Sequence, residues 1–150
     1  MNMINRRSAL LLAASGFLLP LPALAAPMRV TLYKNPQCGC CEGYADYLNK
    51  NNFLVDIIPT DDLLGMARQA GVPKDLDGCH ITKMDGYIVI GHVPIDAVRK
   101  LLAQRPKIIG ISIPGMPVGL PGMEGSRSEP VAIYEIAADV TRPRVFMMVP

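Results

Sequence analysis

Four cysteines are the residues of this chain best suited to chemistry, and three of them, Cys38, Cys40 and Cys41, fall within four positions. The fourth, Cys79, is followed at once by His80. A thiolate is both the nucleophile of disulfide exchange and a ligand for soft metal ions. Cys38 and Cys41 have the Cys-x-x-Cys spacing of thiol–disulfide oxidoreductases, in which the first cysteine attacks and the second resolves. Cys40 is a further thiol inside that spacing, which exchange chemistry does not need. Four converging thiols favour Cu(I), Zn(II) or an iron–sulfur cluster by softness. The adjacent pair Cys40-Cys41 suits one tetrahedral ion poorly, because neighbouring side chains diverge; thiolates that bridge several Cu(I) ions tolerate that divergence better. The plain alternative is two structural disulfides, for which four cysteines allow three pairings. Three cysteines in four residues serve badly as staples.

The elements around these residues decide whether the thiols can meet. A strand over 29–33 leads through Asn35-Pro36-Gln37 to the cysteines, and a helix over 41–51 follows, with Tyr44, Tyr47 and Leu48 on one face. A helix N-terminus offers free N–H groups and a positive dipole end, both of which stabilise a thiolate. A second strand over 53–58 ends at Pro59. Asp61-Asp62 can cap a short helix over 63–70, which Gly71 stops. Strands over 81–84 and 87–90 flank Asp85-Gly86, a hairpin signal. Pro94 opens a helix over 94–104. The order βαβαββα predicts an α/β, thioredoxin-like core. In that fold a cis-proline stands before the third strand, facing the cysteines; here Cys79 stands there, and the nearest earlier proline is Pro73.

Residues 106–125 break this plan. Their proline and glycine content predicts neither a helix nor a central strand. Two near-copies, Pro114-Gly115-Met116-Pro117 and Pro121-Gly122-Met123-Glu124, each present a thioether. Met116 and Met123 read as gap fillers of a packed loop or as soft ligands on a lid over the cysteines. Segments 131–136 and 144–149 predict a C-terminal strand pair that extends the sheet. His80 is a candidate ligand, a proton carrier or a strand residue facing away; strand alternation weakens the case that it and Cys79 face one ion, but alternation is loose at a strand start. His92, just before a helix, reads as a capping or packing residue. No Ser–His–Asp set, phosphate loop or paired catalytic carboxylates stand out.

Residues 1–25 read as an export signal: Arg6 and Arg7, an apolar stretch over 9–19 too short to span a bilayer, and the small-x-small site Ala23-Leu24-Ala25. Arg6-Arg7 also fits loosely a twin-arginine signal, and ordinary unfolded (Sec) export ranks above it. The mature part is then a single domain over 26–150, placed in an oxidising periplasm. Without Arg6 and Arg7 it has thirteen basic residues against thirteen acidic ones. No basic run or aromatic platform points to nucleic acid, and no later segment is long enough to span a membrane.

The series Tyr33-Lys34-Asn35-Pro36-Gln37-Cys38-Gly39-Cys40-Cys41, then Cys79-His80, Gly86-Tyr87-Ile88-Val89-Ile90-Gly91-His92-Val93-Pro94 and the two Pro-Gly-Met turns resembles the CopG-type family of exported, thioredoxin-fold copper-resistance proteins. The resemblance spans about residues 28–136. It implies a periplasmic protein that binds copper through Cys38, Cys40, Cys41 and Cys79 and that can interconvert Cu(I) and Cu(II), with other periplasmic copper-handling proteins as partners. Gly78, Ile81 and Leu120 stand where the family commonly has Ser, Thr and Ser, which removes hydroxyls able to bond a thiolate or the loop. Asn35-Pro36-Gln37-Cys38 also resembles the nucleophile loop of arsenate reductases, the basis for a second reading as a thiol oxidoreductase that uses Cys38 and Cys41. A third reading is a carrier that holds copper on the same ligands without chemistry. The signal generates one prediction: protein from a periplasmic extract has the intact mass of a chain that starts at Ala26, whereas a membrane-bound form that retains 1–25 contradicts it.

Overall fold

The computed structural model describes residues 26–138 and 142–150; the export signal expected over 1–25 lies outside the described residues. The element order is β1 (Met28–Lys34), α1 (Gly39–Asn49), β2 (Phe53–Pro59), α2 (Leu63–Gln69), a 3-10 turn (Lys74–Leu76), β3 (His80–Met84), β4 (Tyr87–Ile90), α3 (Ile95–Gln104), β5 (Gly110–Ser112), β6 (Val131–Ile136) and β7 (Val145–Val149). The strands form one sheet in the order β2-β1-β3-β4-β5-β6-β7. β1 and β2 run parallel, as do β4 and β5; the other neighbouring pairs are antiparallel. This is the thioredoxin-like α/β arrangement that the element order predicts, with the C-terminal strand pair extending the sheet. Among the described residues no helix is long and apolar enough to cross a membrane.

Two apolar clusters sandwich the sheet. Cys41, Tyr44, Ala45 and Leu48 of α1 pack with Val98 and Leu101 of α3 on Leu32, Met84, Val89 and Ile111. Their spacing along each helix is the i, i+3, i+4 stripe that buries one face. On the opposite face Ala67 of α2 and Leu76 meet Ile81, Ile88 and Ile90. β3 divides its side chains accordingly, with Ile81 toward α2 and Met84 toward α1. The predicted caps and turns form: the Asp62 carboxylate accepts from the Gly65 N–H at 3.1 Å. Asp85 and Gly86 both take positive φ, 45° and 86°, as a tight primed turn requires.

The prediction for 106–125 needs correction. Gly110–Ser112 is a strand, and a central one, paired on both sides. Proline is confined to positions 106, 114, 117 and 121, so the intervening apolar run over 108–113 keeps its N–H groups for a ladder. Ile111 turns into the α1–α3 cluster, while the Ser112 hydroxyl donates to the Leu76 carbonyl at 2.8 Å. Gly110 fits because it has no side chain: a Cβ there would lie 1.8 Å from the Ile88 carbonyl oxygen. Gly110→Ala therefore has to push β5 off β4, with a stability loss of about 1–3 kcal/mol or more by denaturant unfolding. A wild-type midpoint would show that the two strands are not packed this closely.

Candidate metal centre

The strand register builds this site. In the antiparallel pairing of β1 with β3, Lys34 faces His80. The chain beyond Lys34, which carries Cys38, therefore runs beside the chain before His80, which carries Cys79. Antiparallel pairing of β3 with β4 sets Met84 opposite Tyr87 and Ile81 opposite Ile90. The same count carried outward brings His92 beside Cys79. Three separate segments thus converge at one end of the sheet.

Cys38 is the N-cap of α1, with φ −81° and ψ 95°. The helix starts at Gly39, earlier than predicted, so Cys40 and Cys41 lie in its first turn. Adjacent helical positions point apart: Cys41 is fully buried in the core, whereas Cys40 is half-buried. Even so, the sulfurs of Cys38, Cys40, Cys41 and Cys79 all lie within 4.8 Å of one another. Cys38 and Cys41 are joined as a disulfide, and Cys40 and Cys79 are free thiols. Cys40 Sγ is 3.5 Å from Cys38 Sγ. Cys41 Sγ is 3.4 Å from the Cys79 carbonyl oxygen, to which it can donate only once reduced.

A second group shares Cys79. Its sulfur lies 3.3 Å from His80 Nδ1 and 3.4 Å from His92 Nε2, and these three residues form a further set able to hold a metal ion. His92 Nδ1 is 2.7 Å from the Pro121 carbonyl oxygen. A carbonyl only accepts, so Nδ1 bears the proton and Nε2 turns a lone pair toward Cys79. Both imidazoles are held neutral, the form that ligates. Burial, and second the neighbouring His92, lower the His80 pKa to about 3; a smaller contact with the Gly91 backbone works the other way. Burial likewise lowers that of His92. Burial pushes the Cys79 thiol up to about 12, with the nearby Cys40 adding to the effect, so a metal bound there must displace a proton. The Tyr44 ring lies against both imidazoles, and its hydroxyl donates to the Val93 carbonyl at 2.9 Å.

The cysteines open on a cleft of about 710 Å³, lined on its rim by Asn35, Gln37, Asp61, Asp62, Leu64 and Met116. The two methionines part company here. Met116 is exposed at the mouth of the cleft, on the same side as Cys79, while Met123 packs against the core. The loop between them sits on α1: a Cβ on Gly122 would lie 2.5 Å from the Tyr44 backbone nitrogen. Leu120 is buried in the main cluster and Ile81 in the α2 cluster, and a Cβ at Gly78 would meet Ile90 at 2.7 Å, so all three residues without the expected hydroxyl serve packing.

The predicted cysteines come together, His80 joins them, and His92 is the residue that sequence reasoning passed over. Its signal was the two-residue turn at Asp85-Gly86, which fixes the pairing of every position outward from it. His80 stands at the start of β3, where alternation is loose as expected: Cys79 precedes the strand's first residue and lies outside the pleat.

The family model "Protein of unknown function, DUF411" matches residues 76–123, the stretch holding Cys79, His80, His92 and both Pro-Gly-Met turns. Two solved forms of copper resistance protein CopG superpose with TM-scores of 0.75 at 32% identity; each alignment covers 83% of this chain and 98% or 99% of the other. The chain belongs to the CopG family. No curated protein matches it. CopG relatives are named for copper resistance, and here the conjunction of four sulfurs and two neutral imidazoles is a donor set suited to a soft or borderline metal ion. The separate placing of the methionines yields a prediction. Met116→Leu with Met123→Leu retains copper per chain, because a thioether is a weaker donor than a thiolate. Complete loss of copper in the double variant would assign the loop as a ligand.

Proposed function

We propose that this chain is an exported, periplasmic copper-binding protein of copper resistance, with residues 1–25 as its signal and 26–150 as the working domain. Cu(I) is held by Cys38, Cys40, Cys41 and Cys79 in their reduced state, and adjacent Cys40 and Cys41 favour sulfurs that bridge more than one ion. The observation that carries this reading is the approach of all four sulfurs to within 4.8 Å, although Cys79 is distant in sequence. Two further features support it: neutral His80 and His92 aimed at Cys79, and membership of a copper-resistance family.

Redox turnover follows from the same residues. The Cys38–Cys41 bond removes two of the four thiols from the donor set and leaves Cys40 and Cys79 with His80 and His92, a mixed sulfur–nitrogen set that suits Cu(II) better than four thiolates do. Two Cu(II) ions that meet the reduced centre would take one electron from each of the Cys38 and Cys41 thiolates, which join as the disulfide, and two Cu(I) result. A thiol reductant that reopens the bond by exchange would then restore the four-sulfur set that holds Cu(I).

The disulfide also favours a second reading, a thiol–disulfide oxidoreductase using Cys38 as nucleophile and Cys41 as the buried resolving thiol. Cys79→Ser separates the two. A hydroxyl is a hard donor that stays protonated at neutral pH. Copper per chain, measured after anaerobic reduction and loading, is expected to fall to roughly half or less, and thiolate-to-copper absorption with it. Unchanged copper content, together with brisk reduction of a general disulfide substrate by the wild type, would favour the oxidoreductase.

A further inference from the structure

Lys34 closes β1, and nothing in the copper reading uses it. It is 3% exposed. Its Nζ lies 3.3 Å from the Asn35 carbonyl oxygen, 3.2 Å from that of Pro36 and 3.1 Å from that of Cys38. The Glu42 carboxylate stands 3.3 Å away, on a side chain 64% exposed. An ammonium this deep is costly unless its three N–H groups are all satisfied. Here every one of those acceptors comes from the short stretch between Asn35 and Glu42. The Glu42 carboxylate is exposed, so that ion pair is weakly holding; the three backbone carbonyls, fixed along the loop, are the firm partners.

The backbone around Cys38 has few other anchors. As N-cap, Cys38 makes no side-chain capping bond, and its N–H bonds only back to the Asn35 carbonyl at 3.0 Å. In the oxidised state the bond to Cys41 ties Cys38 to α1. Reduction removes that tie at the moment when the sulfurs would be needed as ligands. The Lys34 contacts do not depend on it. The cleft beside the cysteines is lined by Asp61 and Asp62 and by no cationic side chain. Lys34 is therefore the positive charge that backs the thiol loop from within the protein.

We propose that Lys34 is the positioning residue of the metal centre: its buried ammonium gathers the carbonyls of Asn35, Pro36 and Cys38 and holds the reduced cysteine loop in the arrangement that lets its sulfurs share metal with Cys79. The proposal rests on the copper reading above. It makes the loop rigid through its backbone, with no contact between Lys34 and the ion.

The test compares the reduced, Cu(I)-loaded wild type with Lys34→Met, which keeps the length of the stem and removes the donors. Release of Cu(I) to excess bathocuproine disulfonate, an avid Cu(I) chelator, is followed in stopped flow, with copper per chain, thiolate-to-copper absorption and the thermal unfolding midpoint measured on the same samples. The expected result is a release roughly tenfold or more faster, as loss of hydrogen bonds to a charged group implies, with an altered absorption band in a variant that still unfolds cooperatively. Release within twofold of wild type would overturn the proposal. A wild type that takes up no copper would instead sink the copper reading. Should Lys34→Met fail to fold, wild-type protein labelled with 15N-lysine decides: the Lys34 ammonium resonance is to shift on loading with Cu(I), and a resonance unmoved at full loading overturns the inference.

Discussion

Register in the ladder β1–β3–β4 is the constraint on which everything else rests. With Lys34 opposite His80 and Ile81 opposite Ile90, the chain ends just past these pairs deliver Cys38, Cys79 and His92 to one place. A slip of one residue would turn His80 and Ile81 to the wrong faces, burying an imidazole among the α2 cluster and pulling Ile81 out of it. The register is therefore enforced by apolar burial on both faces, and the tight Asp85-Gly86 turn sets its origin. Helix α1 then locks the arrangement, since Tyr44 packs on both imidazoles while Cys41, one turn earlier, reaches the same space.

Burial explains why the centre has the chemistry it has. The surroundings that keep His80 and His92 unprotonated also keep Cys79 protonated. Both effects have one cause, the cost of placing charge away from water. A cation entering such a place gains from every neutral nitrogen and can release the thiol proton. Two half-buried free thiols, Cys40 and Cys79, line the cleft, whereas the Cys41 sulfur is sealed. The opening thus grades from exposed Met116, through partly accessible thiols, to a closed interior.

Much of this was legible from residue order. The strand before the cysteines, the Asp62 cap, the hairpin turn and the C-terminal strand pair each carry a local signature, and each formed. The meeting of Cys79 with the cysteine loop followed from the thioredoxin-like order. The stretch that holds β5 was misread, and the place of His92 beside Cys79 was not foreseen. Proline and glycine content hid β5, because composition averages over a window while a strand needs only the few bonded residues between prolines. His92 escaped because the sequence Gly91-His92-Val93-Pro94 reads as a helix start; its place depends on counting from a turn that ends six positions away. Lys34 gave no signal of burial at all, since a lysine ending a strand ordinarily reaches water.

The convergence of three segments also bears on the order of events in the life of the chain. Only the sulfurs of Cys38, Cys40 and Cys41 are neighbours along the sequence; Cys79 and His92 reach them through strand pairing, and the Pro121 carbonyl that orients His92 arrives later still. A newly made or unfolded chain consequently offers a metal an incomplete grip. A metal ion held by these residues would not template the architecture in the way that zinc organises a small finger domain. The full donor set exists only once the sheet has assembled.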